Sequence, residues 1–139
     1  MARRKIEKTL KGLAGKPDIT VRFARTQDMR RIQILYGEVY GGSYSISLVT
    51  DREKMRYAIE NDSYYWMVAE CEGRIIGSLV YSLDGSDRIS KAFGAVVSSE
   101  FRKLDLAHTM MELVLEDITR PGGPVDVVYA TIRTASYAP

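Results

Sequence analysis

Phe93-Gly94-Ala95-Val96-Val97 is an apolar run that passes through Ser98-Ser99-Glu100-Phe101-Arg102-Lys103-Leu104-Asp105 into a helix beginning near Leu106. The first five residues read as a strand. From Leu106 onward Ala107, Met110, Met111, Val114, Leu115 and Ile118 recur on a 3.6-residue period and form one apolar stripe. A strand that turns directly into a helix leaves the first N–H groups of the helix unpaired and pointing into the turn. The helix dipole adds about half a positive charge there, and Arg102 and Lys103 add two full ones. Together these favour an anion such as phosphate or pyrophosphate. The plainer alternative is a surface turn carrying two solvated basic residues.

The run Val97-Ser98-Ser99-Glu100-Phe101-Arg102-Lys103-Leu104-Asp105-Leu106-Ala107 resembles the acetyl-coenzyme A signature of the GNAT family of N-acetyltransferases, Val-x-Pro-x-aromatic-Arg/Gln-x-x-Gly-x-Gly/Ala. Val97, Phe101, Arg102 and Ala107 match it. Ser99 stands at the usual Pro and Asp105 at the first Gly. Glycine at that place takes positive φ and brings backbone N–H close to the pyrophosphate. Asp tolerates left-handed backbone better than most residues, although its carboxylate repels phosphate. A second match lies upstream and in the right order. Val68-Ala69-Glu70-Cys71-Glu72-Gly73-Arg74-Ile75-Ile76-Gly77 is similar to the family's second and third strands, with a tight turn at Glu72-Gly73.

The chain has 139 residues, 45% hydrophobic and 27% charged, which suits one soluble domain with a real core. No apolar run approaches the ~20 residues that span a bilayer, and the basic N-terminus is not followed by the apolar segment of a secretory signal. A membrane partner is therefore not expected. One cysteine, Cys71, fits a reducing cytoplasm. Cys71 with a single histidine, His108, leaves no ligand set for a structural zinc, so no metal is expected. The net charge of +2 hides an asymmetry, because residues 1–17 carry six basic residues and one acid. This leader, separate from a domain over residues 18–139, lacks the interleaved aromatics of a nucleic-acid binder. It reads as a solvated segment with a short helix over Ala2–Leu13, where Ile6, Leu10 and Leu13 share a face.

Further along, Ile19–Ala24 alternates as a strand, and Thr26 is a candidate cap for a helix over Asp28–Tyr40 with Met29, Ile32, Leu35, Tyr36 and Val39 inward. Thr50, with Glu53 three residues later, reads as a capping box for the next helix. Tyr64–Cys71 and Arg74–Leu83 read as a hairpin, Ser90–Val97 as the strand before the turn, and Val125–Arg133 as a strand after Pro121-Gly122-Gly123-Pro124. The strand–helix–strand unit over 93–133 is expected to be a right-handed parallel crossover.

The resemblance implies an α/β, mixed-sheet GNAT fold, mostly antiparallel with that one parallel crossover. It covers residues 19–133, and the family's final helix and strands are expected to be missing, which would leave an apolar patch for a second copy in a homodimer. The implied activity is acetyl transfer from acetyl-coenzyme A, as co-substrate, to a primary amine on a small molecule or peptide. The alternative is a non-catalytic GNAT-like domain for acyl-coenzyme A sensing or assembly. By resemblance, the backbone of Ala95, Val96 and Val97 meets the pantetheine arm, and Arg102, Lys103, Leu104, Asp105, Leu106, Ala107 and His108 surround the pyrophosphate. Tyr36, Tyr40 and Tyr44, with Tyr57, are implied walls of the acceptor pocket; a Tyr packed at a core edge is the commoner use. A general base has only weak candidates in Asp84, Asp87, Glu70 and Glu38. Tyr137 comes too early for the family's thiolate acid, and no catalytic residue is assigned.

Overall fold

The computed structural model describes residues 6–41, 47–61, 64–84, 89–118 and 127–130. Its elements are β1 (Glu7–Leu10), β2 (Ile19–Phe23), α1 (Met29–Tyr40), α2 (Ser47–Thr50), α3 (Arg52–Glu60), β3 (Tyr64–Cys71), β4 (Arg74–Asp84), β5 (Ile89–Val97), α4 (Leu106–Ile118) and β6 (Val127–Ala130). The strands form one sheet in chain order, β1-β2-β3-β4-β5-β6. Every neighbouring pair is antiparallel except β5 and β6, which are parallel and joined through α4. The mixed α/β fold and the parallel crossover are as the sequence predicts. Among the described residues no helix is long and apolar enough to cross a membrane.

The sheet is covered on both faces, which explains why its central strands are nearly all apolar. Along β3 the side chains alternate. Tyr65, Met67, Ala69 and Cys71 join one cluster with Phe101, Leu106, Met110 and Val114. Trp66 and Val68 join the other with Met29, Ile32, Leu35, Tyr36, Met55 and Ile59. Thus α4 covers one face, and α1 and α3 cover the other. Gly77 on β4 lies where α4 crosses the sheet: a Cβ there would stand 3.2 Å from the Met110 Cε and 3.3 Å from the Ala69 Cβ.

Three local expectations are corrected. Residues 7–10 are not helical but form β1, antiparallel to β2 with Glu7 opposite Arg22 and Leu10 opposite Ile19. The spacing of Ile6, Leu10 and Leu13 is real, since all three pack on the α4-side cluster, but they do so from an extended arm and a short turn. At the start of α3 the cap is Asp51 rather than Thr50: its Oδ1 accepts from the N–H groups of Glu53 (3.0 Å) and Lys54 (3.2 Å). The buried face of α4 is centred on Leu106, Met110, Val114 and Asp117, with Ala107, Met111 and Leu115 half-buried beside it. The carboxylate Asp117 hides on this face because the Tyr65 hydroxyl donates to its Oδ2 at 2.9 Å.

Candidate functional site

Two registers define β5. On the β4 side Ser78 pairs with Val96 and Val80 with Phe93, so Leu79 alone faces Gly94 and Ala95. That is a β-bulge, which interrupts the ladder and turns the strand. On the other side the ladder to β6 runs from Ile89 opposite Val127 to Ala92 opposite Ala130. Among the described residues no strand pairs with Phe93–Val97 along that side.

The strand closes where Ser98 N–H donates to the Ile76 carbonyl at 2.8 Å. A single 3-10 turn, Ser99–Phe101, follows, and Phe101 N–H donates back to Ser98 O at 2.9 Å. Phe101 is buried and serves as the loop's apolar anchor. The Lys16 ammonium sits 5.0 Å from its ring centroid. The chain then passes through Lys103 at φ 67° and Asp105 at φ 60°. Two non-glycine residues in the left-handed region cost about 1–2 kcal/mol each, somewhat less for Asp. Such backbone persists only where its surroundings hold it. Leu106 is buried, and Asp105 O accepts both the N–H (2.9 Å) and the hydroxyl (3.1 Å) of Thr109. The N–H groups of Leu106, Ala107 and His108 precede that first helical bond, as in any helix start.

The predicted donor-side residues thus come together at one end of the sheet. Ala95 and Val96 are buried on opposite faces, and Val97 is half-buried. The half-buried Arg102 folds back so that its Nε donates to Val97 O at 3.4 Å. Leu104 is half-buried against the α4-side cluster, Ala107 is half-buried, and Lys103, Asp105 and His108 are exposed. His108 pairs with Glu112 one turn along α4.

Of the acceptor-side tyrosines, Tyr36 lies in the core instead of at a pocket wall. Tyr36 has no exposed surface, and its hydroxyl shares a hydrogen bond with Ser78 Oγ at 3.3 Å, so it is a core residue. Tyr40 stacks on it with ring centroids 6.3 Å apart and is half-buried. Tyr57 is 61% exposed on α3. Tyr44 lies outside the described residues, as do Asp87, Tyr137 and the side chain of Asp84.

The other two candidate bases are engaged. Glu70 gives Oε1 to Arg22 (3.1 Å) and Oε2 to Arg31 (3.1 Å). Glu38 accepts the Ser98 hydroxyl on Oε2 at 2.5 Å and meets Arg74 through Oε1 at 3.5 Å. Arg74 in turn reaches Glu100 at 3.4 Å. Both carboxylates are thus engaged by basic or hydroxyl partners. Cys71 is buried, and that burial first, with the nearby Glu72 charge, pushes its thiol up, so it stays protonated and structural. Sequence reasoning missed the contacts of Glu38 and Arg74, because Glu38 lies far in the chain from Ser98 and Arg74, and Arg74 lies far from Glu100.

Solved structures of similar fold agree with this layout. An aminoglycoside acetyltransferase, meta-AAC0020, from an uncultured soil metagenomic sample, in complex with sisomicin, superposes with TM-score 0.66 at 15% identity, over 83% of this chain and 78% of its own. Glucosamine-6-phosphate N-acetyltransferase from Arabidopsis thaliana gives TM-score 0.64 at 19% identity, over 83% and 82%. AAC(6')-Iy in complex with the bisubstrate analog CoA-S-monomethyl-acetylneamine gives 0.63 at 17% identity, over 83% and 80%. At these identities the likeness is one of fold. No curated protein sequence matches this one significantly. The family model for the acetyltransferase (GNAT) family matches residues 27–136, a span that begins just before α1 and takes in the whole of β5, the loop and α4. The chain belongs to the GNAT acetyltransferase family.

Proposed function

We propose that this chain is an N-acetyltransferase that moves an acetyl group from acetyl-coenzyme A to a primary amine on a small molecule or a protein. The observation that carries the reading is the backbone at the signature turn: Asp105, standing at the glycine position, holds the left-handed φ of 60° that a glycine would supply. That backbone supports reading the loop as the pyrophosphate cradle despite the replacement of Gly. The N–H groups of Leu106, Ala107 and His108, at the start of the 13-residue α4, and the guanidinium of Arg102 are the donors that fit a pyrophosphate. Lys103 adds positive charge, and the Asp105 carboxylate subtracts some. The edge of Ala95, Val96 and Val97 beyond the bulge suits the amide-bearing pantetheine arm. Acetyl-coenzyme A supplies the acyl group as a thioester. The chain's own part is to hold that donor along β5, and to offer backbone N–H to a carbonyl oxygen that gains charge.

The acceptor enters from the α1 side in this reading, with Tyr40 and Tyr44 as wall residues. The neighbours bound to sisomicin and to an acetylneamine analog make amino sugars a reasonable first panel. A cytoplasmic location goes with a lone, buried, unpaired cysteine. The test is release of free thiol from acetyl-coenzyme A, followed against a panel of amino sugars, polyamines and N-terminal peptides. Acceptor-dependent release supports the reading. Coenzyme A binding without release for any amine favours the second reading, a GNAT-like domain that binds acyl-coenzyme A without turnover. That alternative draws on the engagement of both Glu38 and Glu70.

A further inference from the structure

We propose that Glu38 is a positioning residue for coenzyme A: its hydrogen bond to Ser98 and its ion pair with Arg74 hold the turn after β5 against the strained backbone that follows. The proposal rests on the donor-site reading above and adds to it a residue on α1, outside the signature. Ser98 is the hinge between strand and loop. Its N–H is fixed to Ile76 O at 2.8 Å and its side chain is fully buried, with the hydroxyl given to Glu38 Oε2 at 2.5 Å. A short bond from a buried hydroxyl to a carboxylate belongs to the stronger class of hydrogen bonds. Oε1 of the same carboxylate meets Arg74, and Arg74 reaches Glu100 two residues beyond Ser98. Those two ion pairs are exposed and weak alone, so the bond to Ser98 carries most of the effect.

What makes this contact matter is the loop downstream. Lys103 at φ 67° and Asp105 at φ 60° oppose the intrinsic preference of both residues. The loop keeps that shape because both of its ends are held. Leu106 and the Thr109 bonds to Asp105 O fix the helical end. Phe101 and the Ser98–Glu38 bond fix the strand end. Loosening the strand end lets the loop relax toward negative φ, which turns the N–H groups away from a pyrophosphate. Glu38 also sits two residues before the end of α1, beyond which the chain enters the segment assigned above to the acceptor pocket.

The test is a mutant cycle read by calorimetric titration with coenzyme A. Glu38→Ala and Ser98→Ala are each expected to weaken binding about tenfold, the scale of one charge-assisted hydrogen bond. Because they break the same bond, the double variant weakens it no further than either alone. Asp105→Gly, which removes one source of strain, is expected to shrink the cost of Glu38→Ala to about threefold or less. A merely structural role would give the same cost in both backgrounds. Glu38 is 39% exposed, so its truncation spares the core, and Ser98→Ala gives the reading independently from the other partner. Unchanged affinity in both single variants, or an equal cost with Asp105 and with Gly at position 105, overturns the proposal while the donor site stands. Failure of the unmutated chain to bind coenzyme A overturns the donor site and this proposal together.

Discussion

Arg22 and Asp28 face each other through two parallel hydrogen bonds, 2.8 Å and 3.0 Å long, with residue exposures of 5% and 1%. The pair joins β2 to the turn that opens α1. Glu70 on β3 and Arg31 on α1 close the ring around it: Arg31 meets Asp28 at 2.6 Å and Glu70 at 3.1 Å. Asp28 also accepts the Arg25 N–H at 2.8 Å. This network sets α1 on the sheet, and α1 carries Glu38. Asp28→Ala would leave the Arg22 guanidinium buried without its main partner. The expected loss is about 3–5 kcal/mol of stability, measured by urea denaturation.

The same pair gives the protein an acid limit. Burial alone raises the Asp28 carboxyl, but the Arg22 hydrogen bonds, the Arg25 N–H and the charges of Arg22 and Arg31 outweigh it and hold it below the usual carboxylate range. A carboxyl whose folded pKa lies below its unfolded value of about 3.9 contributes fully above that pH. Its contribution fades as pH falls from there through the lower folded value. Thermal melts from pH 7 to pH 2.5 are expected to show this loss, and Asp28→Asn is expected to start less stable at pH 7 and to lose less on acidification.

Ser78 is a shared acceptor on the α1 side of the sheet. The Trp66 indole N–H donates to its Oγ at 2.8 Å, and Tyr36 contacts it at 3.3 Å. Ser78→Ala removes the acceptor from a buried indole N–H and is expected to cost about 1–3 kcal/mol. Tyr36→Phe, which keeps the Trp66 bond, is expected to cost about 1 kcal/mol. The order of the two by chemical denaturation is the check, and the reverse order would contradict the assignment of Tyr36 to the core.

On the opposite face, Met110 is fully buried against Gly77 and the centre of the sheet. Met110→Ala is expected to destabilise by about 2–5 kcal/mol. Gly77→Val, which pushes a branched side chain into the same contact, is expected to cost about 1–3 kcal/mol. Circular dichroism melts of both variants measure these losses.

The unit from Phe93 to Ile118 was legible because strand and helix periods change abruptly at the turn, and α4 begins at Leu106 as its spacing implies. At Asp105 the sequence states only that Asp tolerates left-handed backbone better than most residues, and the structure gives it a φ of 60°. Periodicity states which residues face inward but not what they meet. Hence the spacing that predicts a helix over Ala2–Leu13 is met instead by an extended arm and a short turn, which bury Ile6, Leu10 and Leu13 as well as a helix can. The capping-box spacing points to Thr50, whereas Asp51, one residue on, supplies the capping oxygen. The contacts that hold the site span the chain, Glu38 to Ser98 over 60 residues and Arg22 to Glu70 over 48, and no local pattern encodes such pairs. Tyr36 fits an acceptor wall by position alone, and its hydroxyl finds a buried partner only once β4 is in place.

Arg102 is held at the end of β5, where its Nε donates to Val97 O. Arg102→Ala is expected to weaken coenzyme A binding about tenfold, and Asp105→Gly to preserve or tighten it by removing a like charge. Equal affinity in both variants and the unmutated chain would mean that the pyrophosphate lies elsewhere.

Calorimetric titration of the unmutated chain with acetyl-coenzyme A, with coenzyme A alongside, tests the donor site most directly. Micromolar binding of both ligands is the expected result, with the Asp105 backbone serving where the family uses glycine. A folded chain that binds neither ligand at millimolar concentration would contradict it.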